Sequence, residues 1–167
     1  PVPEVVAALL AAGLHRLYMP RRFGGYGLDW GAHYMAGERL SRECGSTGWL
    51  VSLVFSHIMY VGRFEPEAQE EFFAASTEPV LATASAGGGA LFRQGHAWRL
   101  KGRWSFASGV NVASGLMVVA RERGEGPISH FILLLPGEYA IHDTWHSEGL
   151  RGTGSHDVTV NDVIVPA

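Results

Sequence analysis

A tryptophan and a histidine stand eight residues apart in a stretch that is otherwise almost wholly apolar. On a helix, the side chains of Trp49, Ser56 and Tyr60 fall on one side with His57 at its edge. A polar side without formal charge suits a semi-buried cavity, where an imidazole can move or orient a proton near neutral pH. The alternative is a core histidine whose ring is satisfied by a backbone carbonyl.

The run Gly102–Gly109 forms a second cluster of chemical interest. Trp104, Phe106 and Ser108 stand here at the end of a predicted strand. Large aromatic side chains beside a small hydroxyl can bind a planar ligand, with the rings stacked and the hydroxyl at its edge. The alternative is an ordinary strand end that runs into a Ser-Gly turn.

Two glycine-rich runs do not fit nucleotide-binding motifs. Gly149–Val158 is followed by a predicted strand rather than the crossover helix of a dinucleotide fold. Gly87–Gly89 lacks the Lys-Ser/Thr of a phosphate loop, and we expect it to be a flexible connection. The histidines lack metal-ligand spacing, and no Gly-x-Ser-x-Gly elbow is present.

The first half of the sequence predicts the helices that carry the first cluster. Helical spacing from Val5 to Leu10 ends at Gly13. Leu17–Pro20 is predicted to be extended and to lead into a turn-rich loop. Further helices are predicted over 30–42 and over 66–73. Between them, another helix is predicted to begin after Gly48, with Ser46 or Thr47 as its N-terminal cap.

Beyond residue 78 the pattern changes to short β-branched runs bounded by glycine. Strands are predicted over 79–85, 96–106, 115–120, 130–135 and 157–165, with Gly124–Gly126 as a hairpin connection. The fold class is therefore α+β, with a helical domain over 1–77 and a β domain over 78–167.

Composition narrows the function classes further. A net charge of −3 without a basic stripe offers no footprint for nucleic acid. One cysteine, Cys44, excludes an intrachain disulfide and favours a reducing compartment. The apolar run Trp49–Gly62 is too short to span a bilayer. We expect a soluble, cytoplasmic protein, and the uncapped final strand leads us to expect that more chain follows.

These segments together resemble the acyl-CoA dehydrogenase superfamily over essentially the whole chain. Leu17–Gly27 is similar to its early Pro-x-x-x-Gly-Gly turn, and Gly149–Pro166 to its Gly-x-Arg-Gly-(Thr/Ser) segment and following strand. The resemblance implies a helical N-terminal domain and an antiparallel β-barrel or sandwich middle domain. The C-terminal four-helix bundle of that family is missing from these 167 residues.

Within the superfamily, the details look more like the flavin-dependent monooxygenases. Dehydrogenases carry an acidic residue ahead of the flavin strand, whereas residues 82–89 have none. Gly102–Gly109 is similar to the Gly-Arg-Trp-Ser-Phe-Ser-Ser-Gly of the hydroxylases, with Ala107 as a departure. Trp49 and His57 match a Trp and a His that line the substrate pocket in the p-hydroxyphenylacetate hydroxylase oxygenases.

The resemblance implies the oxygenase component of a two-component flavin-dependent monooxygenase. Reduced FMN or FAD, with FMN as first choice, comes from a separate NAD(P)H flavin reductase. The reduced flavin reacts with dioxygen to give a C4a-hydroperoxide, which hydroxylates a phenolic or polycyclic aromatic substrate. The family also implies a homotetramer, and no metal is expected.

The same resemblance assigns roles to residues. Ser108 would hydrogen-bond flavin N5, Phe106 would pack beside the isoalloxazine ring, and Thr83 and Ser85 would face its polar edge. His57 would orient or deprotonate the phenol, and Trp49 would form an aromatic wall. Two alternatives stay open: an acyl-CoA dehydrogenase oxidising an acyl thioester with bound FAD, and a non-enzymatic interaction module.

Overall fold

The computed structural model of the chain describes residues 2–123 and 129–166. Its first part is helical, with α1 (Pro3–Ala11), α2 (Trp30–Glu43), α3 (Gly45–Trp49), α4 (Ile58–Val61) and α5 (Pro66–Ala74). A π-helix at Leu50–Val54 and a 3₁₀ turn at Phe55–His57 join α3 to α4. Residues 45–61 thus form one continuous helical segment, here called the central helix.

Local signals predicted most of these helices, and two predictions were wrong. The helices near 5–10, 30–42 and 66–73 are confirmed to within about two residues. Leu17 has right-handed helical backbone angles instead of extended ones, because a 3₁₀ turn precedes it. The central helix begins at Gly45 with no side-chain cap, so neither Ser46 nor Thr47 caps it.

The second part is one six-stranded sheet, which confirms the predicted change from helices to strands. In sequence order the strands are β1 (Leu81–Gln94), β2 (Ala97–Ala107), β3 (Gly115–Glu122), β4 (Ser129–Leu134), β5 (Ala140–His142) and β6 (His156–Pro166). Their order in the sheet is β4-β3-β1-β2-β6-β5. All neighbours are antiparallel except β1 and β3, which run parallel. The predicted hairpin connection at Gly124–Gly126 lies outside the described residues.

Glycines in β1 make room for a buried tryptophan. We expected Gly87–Gly89 to be a flexible connection, but this run lies inside β1 and pairs with β2, with Gly89 opposite Gly102. A Cβ atom on Gly89 would lie 2.1 Å from Cζ2 of Trp104. The Trp104 side chain is fully buried, and its Nε1 donates a hydrogen bond to the Val119 carbonyl at 2.7 Å. The glycine run therefore serves packing rather than flexibility.

The apolar side of the central helix is buried as its spacing predicted. Its members are Leu50, Val51, Val54, Phe55 and Ile58, each no more than 2% exposed. They pack with Leu9 of α1 and with Val80 and Leu81 at the start of the sheet. Each such side chain contributes roughly 1.5–3 kcal/mol through burial. This packing fixes the rotation of the central helix about its own axis and so determines where its polar side points. None of the helices within the described residues is long and apolar enough to cross a membrane.

Replacing Gly89 with alanine should destabilise the fold. The added Cβ would overlap the Trp104 indole, and overpacking of this kind costs about 1–3 kcal/mol. Gly88→Ala is the matched control, because a Cβ there meets nothing within 4 Å. Urea denaturation of the full-length protein should show a lower free energy of unfolding for the first variant only. Equal values for both variants would contradict the packing role of Gly89.

Candidate functional site

The central helix departs from α geometry between its two candidate residues. The π-helix begins directly after Trp49, and the 3₁₀ turn ends at His57. Short π-helical turns are frequent at functional sites, because they shift the direction of the side chains that follow. Here the irregular turns lie between two side chains that contact different parts of the sheet.

Trp49 contacts the end of β2. Its indole is 41% exposed, and Nε1 donates a hydrogen bond to Oγ of Ser108 at 3.2 Å. The Ser108 backbone N–H donates to the Phe106 carbonyl at 2.8 Å, which closes a tight turn directly after the strand. The structure thus brings together Trp49 and Ser108, two residues that the sequence had assigned to separate clusters.

Phe106 is held in an unfavourable backbone conformation. Its φ is +63°, a left-handed value that costs free energy for a bulky side chain and that clusters at functional sites. The ring is 60% exposed and meets Trp145 edge to face, with centroids 6.1 Å apart. Leu150 nearby has a φ of +52° and is 43% exposed. An open apolar surface therefore surrounds the Ser108 turn.

A chain of buried hydroxyls continues inward from Ser108. Its Oγ lies 2.7 Å from Oγ of Ser155, which lies 2.7 Å from Oγ1 of Thr153. Thr153 donates to the Leu150 carbonyl at 2.9 Å. These three hydroxyl side chains are no more than 7% exposed. Ser155 and Thr153 were missed as site residues by the sequence reading. Their signal was the pair of hydroxyls in the Gly-Thr-Gly-Ser run that leads into β6.

Backbone hydrogen bonds join this hydroxyl chain to its surroundings. The Gly109 N–H donates to the Thr153 carbonyl at 2.8 Å. The Gly152 N–H donates to Oγ of Ser46 at 3.2 Å. Ser46, which was expected to cap the central helix, therefore bonds the loop before β6 instead. The start of the central helix, the end of β2 and the loop before β6 are consequently fixed to one another.

His57 lies against β1 in a nearly dry environment. The side chain is 8% exposed, and Nδ1 is 3.1 Å from Oγ1 of Thr83. Burial lowers the pKa of His57 to about 4, although a backbone hydrogen bond at Leu81 opposes the shift. The Tyr60 ring packs beside it, with centroids 5.9 Å apart. His57 is therefore neutral at pH 7 and suited to donating or accepting a hydrogen bond.

The remaining predicted site residue is open to solvent. Ser85 lies on β1 two residues beyond Thr83, is exposed, and makes no side-chain hydrogen bond to any described residue. Within the described ranges no group of three or more His, Cys, Asp or Glu residues could hold a metal ion. A cavity of about 520 Å³ lies elsewhere, between α5, β4 and the end of β6. None of the predicted site residues lines it, so we centre the candidate site on Ser108.

The titration of His57 should appear in the pH dependence of stability. The folded pKa lies below the unfolded value of 6.5, so the unfolded chain binds the proton more tightly. The neutral ring therefore stabilises the fold above pH 6.5, and this contribution is lost as the pH falls towards 4. A shift of this size corresponds to about 3 kcal/mol.

Urea denaturation of the full-length protein at pH 7 and pH 4 measures this effect. His57→Asn should lose less stability than the wild type over that interval, whereas the control His96→Asn, which removes an exposed histidine, should follow the wild type. Parallel curves for His57→Asn and the wild type would show that His57 is not held neutral.

Comparison with known proteins finds relatives that are similar over almost the whole chain. Residues 1–77 match the family model described as acyl-CoA dehydrogenase, N-terminal domain. The chain is 35% identical, over 98% of its length, to the flavin-dependent monooxygenase oxygenase subunit HsaA of Rhodococcus jostii RHA1. It is also 35% identical, over 96% of its length, to the oxygenase component of the FADH(2)-dependent resorcinol hydroxylase of Rhizobium sp. MTP-10005.

A solved structure shows the same fold at similar identity. The crystal structure of the HsaA monooxygenase from M. tuberculosis superposes with a TM-score of 0.91 at 33% identity, over 99% of this chain and 44% of that one. The chain spans 43% of the length of the R. jostii relative and 40% of the Rhizobium relative.

Proposed function

We propose that the chain forms part of the oxygenase component of a two-component flavin-dependent monooxygenase, and its similarity to the HsaA oxygenase subunit and to the resorcinol hydroxylase oxygenase component supports this. The reaction is the hydroxylation of a phenolic or polycyclic aromatic substrate. The proposal rests on the position of the Ser108 hydroxyl. Trp49 and Ser155 hydrogen-bond this hydroxyl at the end of β2, where neighbouring aromatic side chains are exposed. Residues 1–77 form the helical domain and 78–167 the sheet domain of this component.

The donor set at Ser108 fits a reduced flavin. A planar tricyclic ring needs an apolar surface, and Phe106 offers an exposed aromatic face beside Ser108. The N5–H of a reduced flavin needs an acceptor, which the Ser108 hydroxyl supplies. The exposed hydroxyl of Ser85 is available for the polar edge of the ring, and Thr83, whose hydroxyl lies 3.1 Å from Nδ1 of His57, is on the same strand two residues before it. The flavin, when bound, supplies the activation of dioxygen.

His57 and Trp49 act on the aromatic substrate in this proposal. A neutral imidazole with a pKa of about 4 is a weak base at pH 7. His57 therefore orients a phenolic hydroxyl by hydrogen bonding and does not fully deprotonate it. The exposed indole face of Trp49 forms an apolar wall, while its N–H stays bound to Ser108. One side chain would then contact both the substrate side and the flavin side of the site.

The flavin is FAD rather than FMN in our proposal. The sequence alone favoured FMN, but the relative from Rhizobium sp. MTP-10005, at 35% identity, belongs to an FADH(2)-dependent hydroxylase. A separate NAD(P)H flavin reductase delivers the reduced cofactor to a homotetrameric oxygenase in the cytoplasm.

The proposal is tested with the full-length protein supplied with ¹⁸O₂ and FADH₂ generated by a separate flavin reductase. Resorcinol and a panel of phenols and polycyclic phenols serve as probes. We expect one labelled oxygen atom in the product and oxidation of one NAD(P)H for each hydroxylation. Reduction of bound FAD by an acyl-CoA without reductase would instead indicate a dehydrogenase. Failure to bind either flavin in either redox state would favour an interaction module.

Ser108→Ala should uncouple the reaction. Removing the acceptor for N5–H leaves the ring packing in place, so flavin should still bind, but the activated flavin loses a stabilising hydrogen bond. A bond of this kind contributes about 1 kcal/mol, which corresponds to roughly a fivefold change. The rate of hydrogen peroxide release should rise by about that factor, and product formed per NAD(P)H should fall correspondingly.

Ser105→Ala is the matched control, since Ser105 lies on the same strand and bonds Asp157 instead. Unchanged coupling in Ser108→Ala, measured as product and peroxide per NAD(P)H, would remove Ser108 from the reacting centre.

A further inference from the structure

The irregular turn of the central helix leaves backbone carbonyls without a backbone N–H to bind. The Phe55 N–H donates to the Leu50 carbonyl, five residues back, whereas the 3₁₀ bonds of the next turn reach only three residues back. Because the reach shortens, carbonyls at this junction are passed over. One of them, the Leu53 carbonyl, accepts instead from Oγ of Ser56 at 2.6 Å.

A histidine from another helix binds the neighbouring carbonyl. Nε2 of His33, on α2, lies 3.1 Å from the Ser52 carbonyl oxygen. A carbonyl oxygen can only accept, so Nε2 carries the proton and donates. Burial lowers the pKa of His33, although hydrogen bonds to the backbone at Ser52 and Val51 oppose the shift. The ring is therefore neutral at pH 7, and its Nδ1 has only a lone pair.

Close packing keeps His33 opposite the irregular turn. Gly37 lies one turn after His33 on α2, and a Cβ atom there would be 2.0 Å from Oγ of Ser52. The two helices are therefore in direct contact at this residue. The Tyr18 ring packs on the imidazole, with centroids 4.7 Å apart and planes tilted by 33°. Because His33 is only 1% exposed, water does not readily replace its bond to the carbonyl.

Stability alone does not account for a histidine at this position. Nδ1 of His33 is buried and has no hydrogen-bond partner among the residues that the structure describes. An unpaired buried nitrogen is unfavourable, and a leucine would fill similar space without one. What the histidine adds is a donor for the Ser52 carbonyl, in the turn where the helix changes its hydrogen-bond pattern.

We propose that His33 is a positioning residue, which holds the Ser52 carbonyl and so maintains the irregular turn that sets the direction of His57 relative to Trp49. Before the turn, Trp49 is fixed to the end of β2 by its own hydrogen bond. A return to regular α geometry would shift the helix after the turn by one residue, which rotates His57 away from β1 by about 100°. The consequence for hydroxylation rests on the proposed function.

The test compares two amides of different length at position 33 of the full-length protein. The amide of His33→Gln reaches about as far as Nε2 of histidine and can donate to the same carbonyl. His33→Asn carries the same amide one methylene shorter and does not reach it. His15→Asn is the matched control. His15 is also 1% exposed and its ring meets Phe55 of the central helix, but its hydrogen bond is with Arg16.

Two measurements report on the helix without flavin or turnover. A single fluorotyrosine in place of Tyr60 probes the part after the turn, because that ring packs beside His57. Its ¹⁹F NMR signal should shift in His33→Asn and keep the wild-type position in His33→Gln and His15→Asn. Amide hydrogen exchange over residues 50–57 should be about fivefold faster in His33→Asn alone, the effect of about one hydrogen bond.

Steady-state kinetics separate positioning from a loss of folded protein. Partial unfolding reduces the amount of active enzyme, which lowers the apparent kcat and leaves KM unchanged. A displaced His57 no longer orients the phenolic hydroxyl. The KM of a phenol that the wild type hydroxylates should therefore rise about fivefold in His33→Asn, and His33→Gln should restore the wild-type KM.

The outcomes separate this inference from the function on which it rests. The same fluorine signal and exchange rate in His33→Asn and the wild type would overturn the positioning role and leave the proposed function standing. A shifted signal in His33→Gln, which keeps the donor, would overturn the role as well. If His33→Asn does not fold, His33→Leu replaces it, since leucine also removes the donor. A wild type that hydroxylates no phenol would overturn the proposed function, and the fluorine signals would then decide the role of His33 by themselves.

Discussion

The contact between the hydroxyls of Ser108 and Ser155 is the interaction on which the candidate site depends. It joins the end of β2 to the start of β6 across 47 residues of sequence, and both partners are buried. Each hydroxyl satisfies the other in a place where an unpaired polar atom would cost about 1–3 kcal/mol. The exposed ring of Phe106 stands two residues before Ser108 on the same strand end, beside hydroxyls that are already paired.

The central helix supplies the second constraint, since it must satisfy two surfaces at once. Its apolar side fills the space between α1 and the sheet. Its other side has to present Trp49 to β2 and His57 to β1, two adjacent strands. A regular helix sets the angle between two side chains by their spacing alone. The π and 3₁₀ turns at 50–57 remove that restriction at the cost of less favourable backbone hydrogen bonds.

Local patterns were sufficient to predict the elements and the buried helix face. The spacing of Leu50, Val54 and Ile58 reports directly on burial, because periodicity is a property of neighbouring residues. Prediction from the sequence failed for residues whose contacts are made with distant segments of the chain. The hydroxyl of Ser46 was expected to cap its own helix but accepts a bond from Gly152, 106 residues away. Gly87–Gly89 was interpreted as flexible because its packing partner, Trp104, lies on another strand. The three residues of β5 are too few to produce a strand pattern.

Strand order also determines when the site can form during synthesis. β2 lies between β1 and β6 in the sheet, but β6 follows it by some 50 residues in the chain. At typical translation rates of about 5–20 residues per second, one edge of β2 stays unpaired for roughly 2–10 seconds after the strand leaves the ribosome. An open strand edge is a template for pairing with another chain. Ser155 directly precedes β6, so the hydrogen bond between Ser108 and Ser155 can form only when that edge is closed.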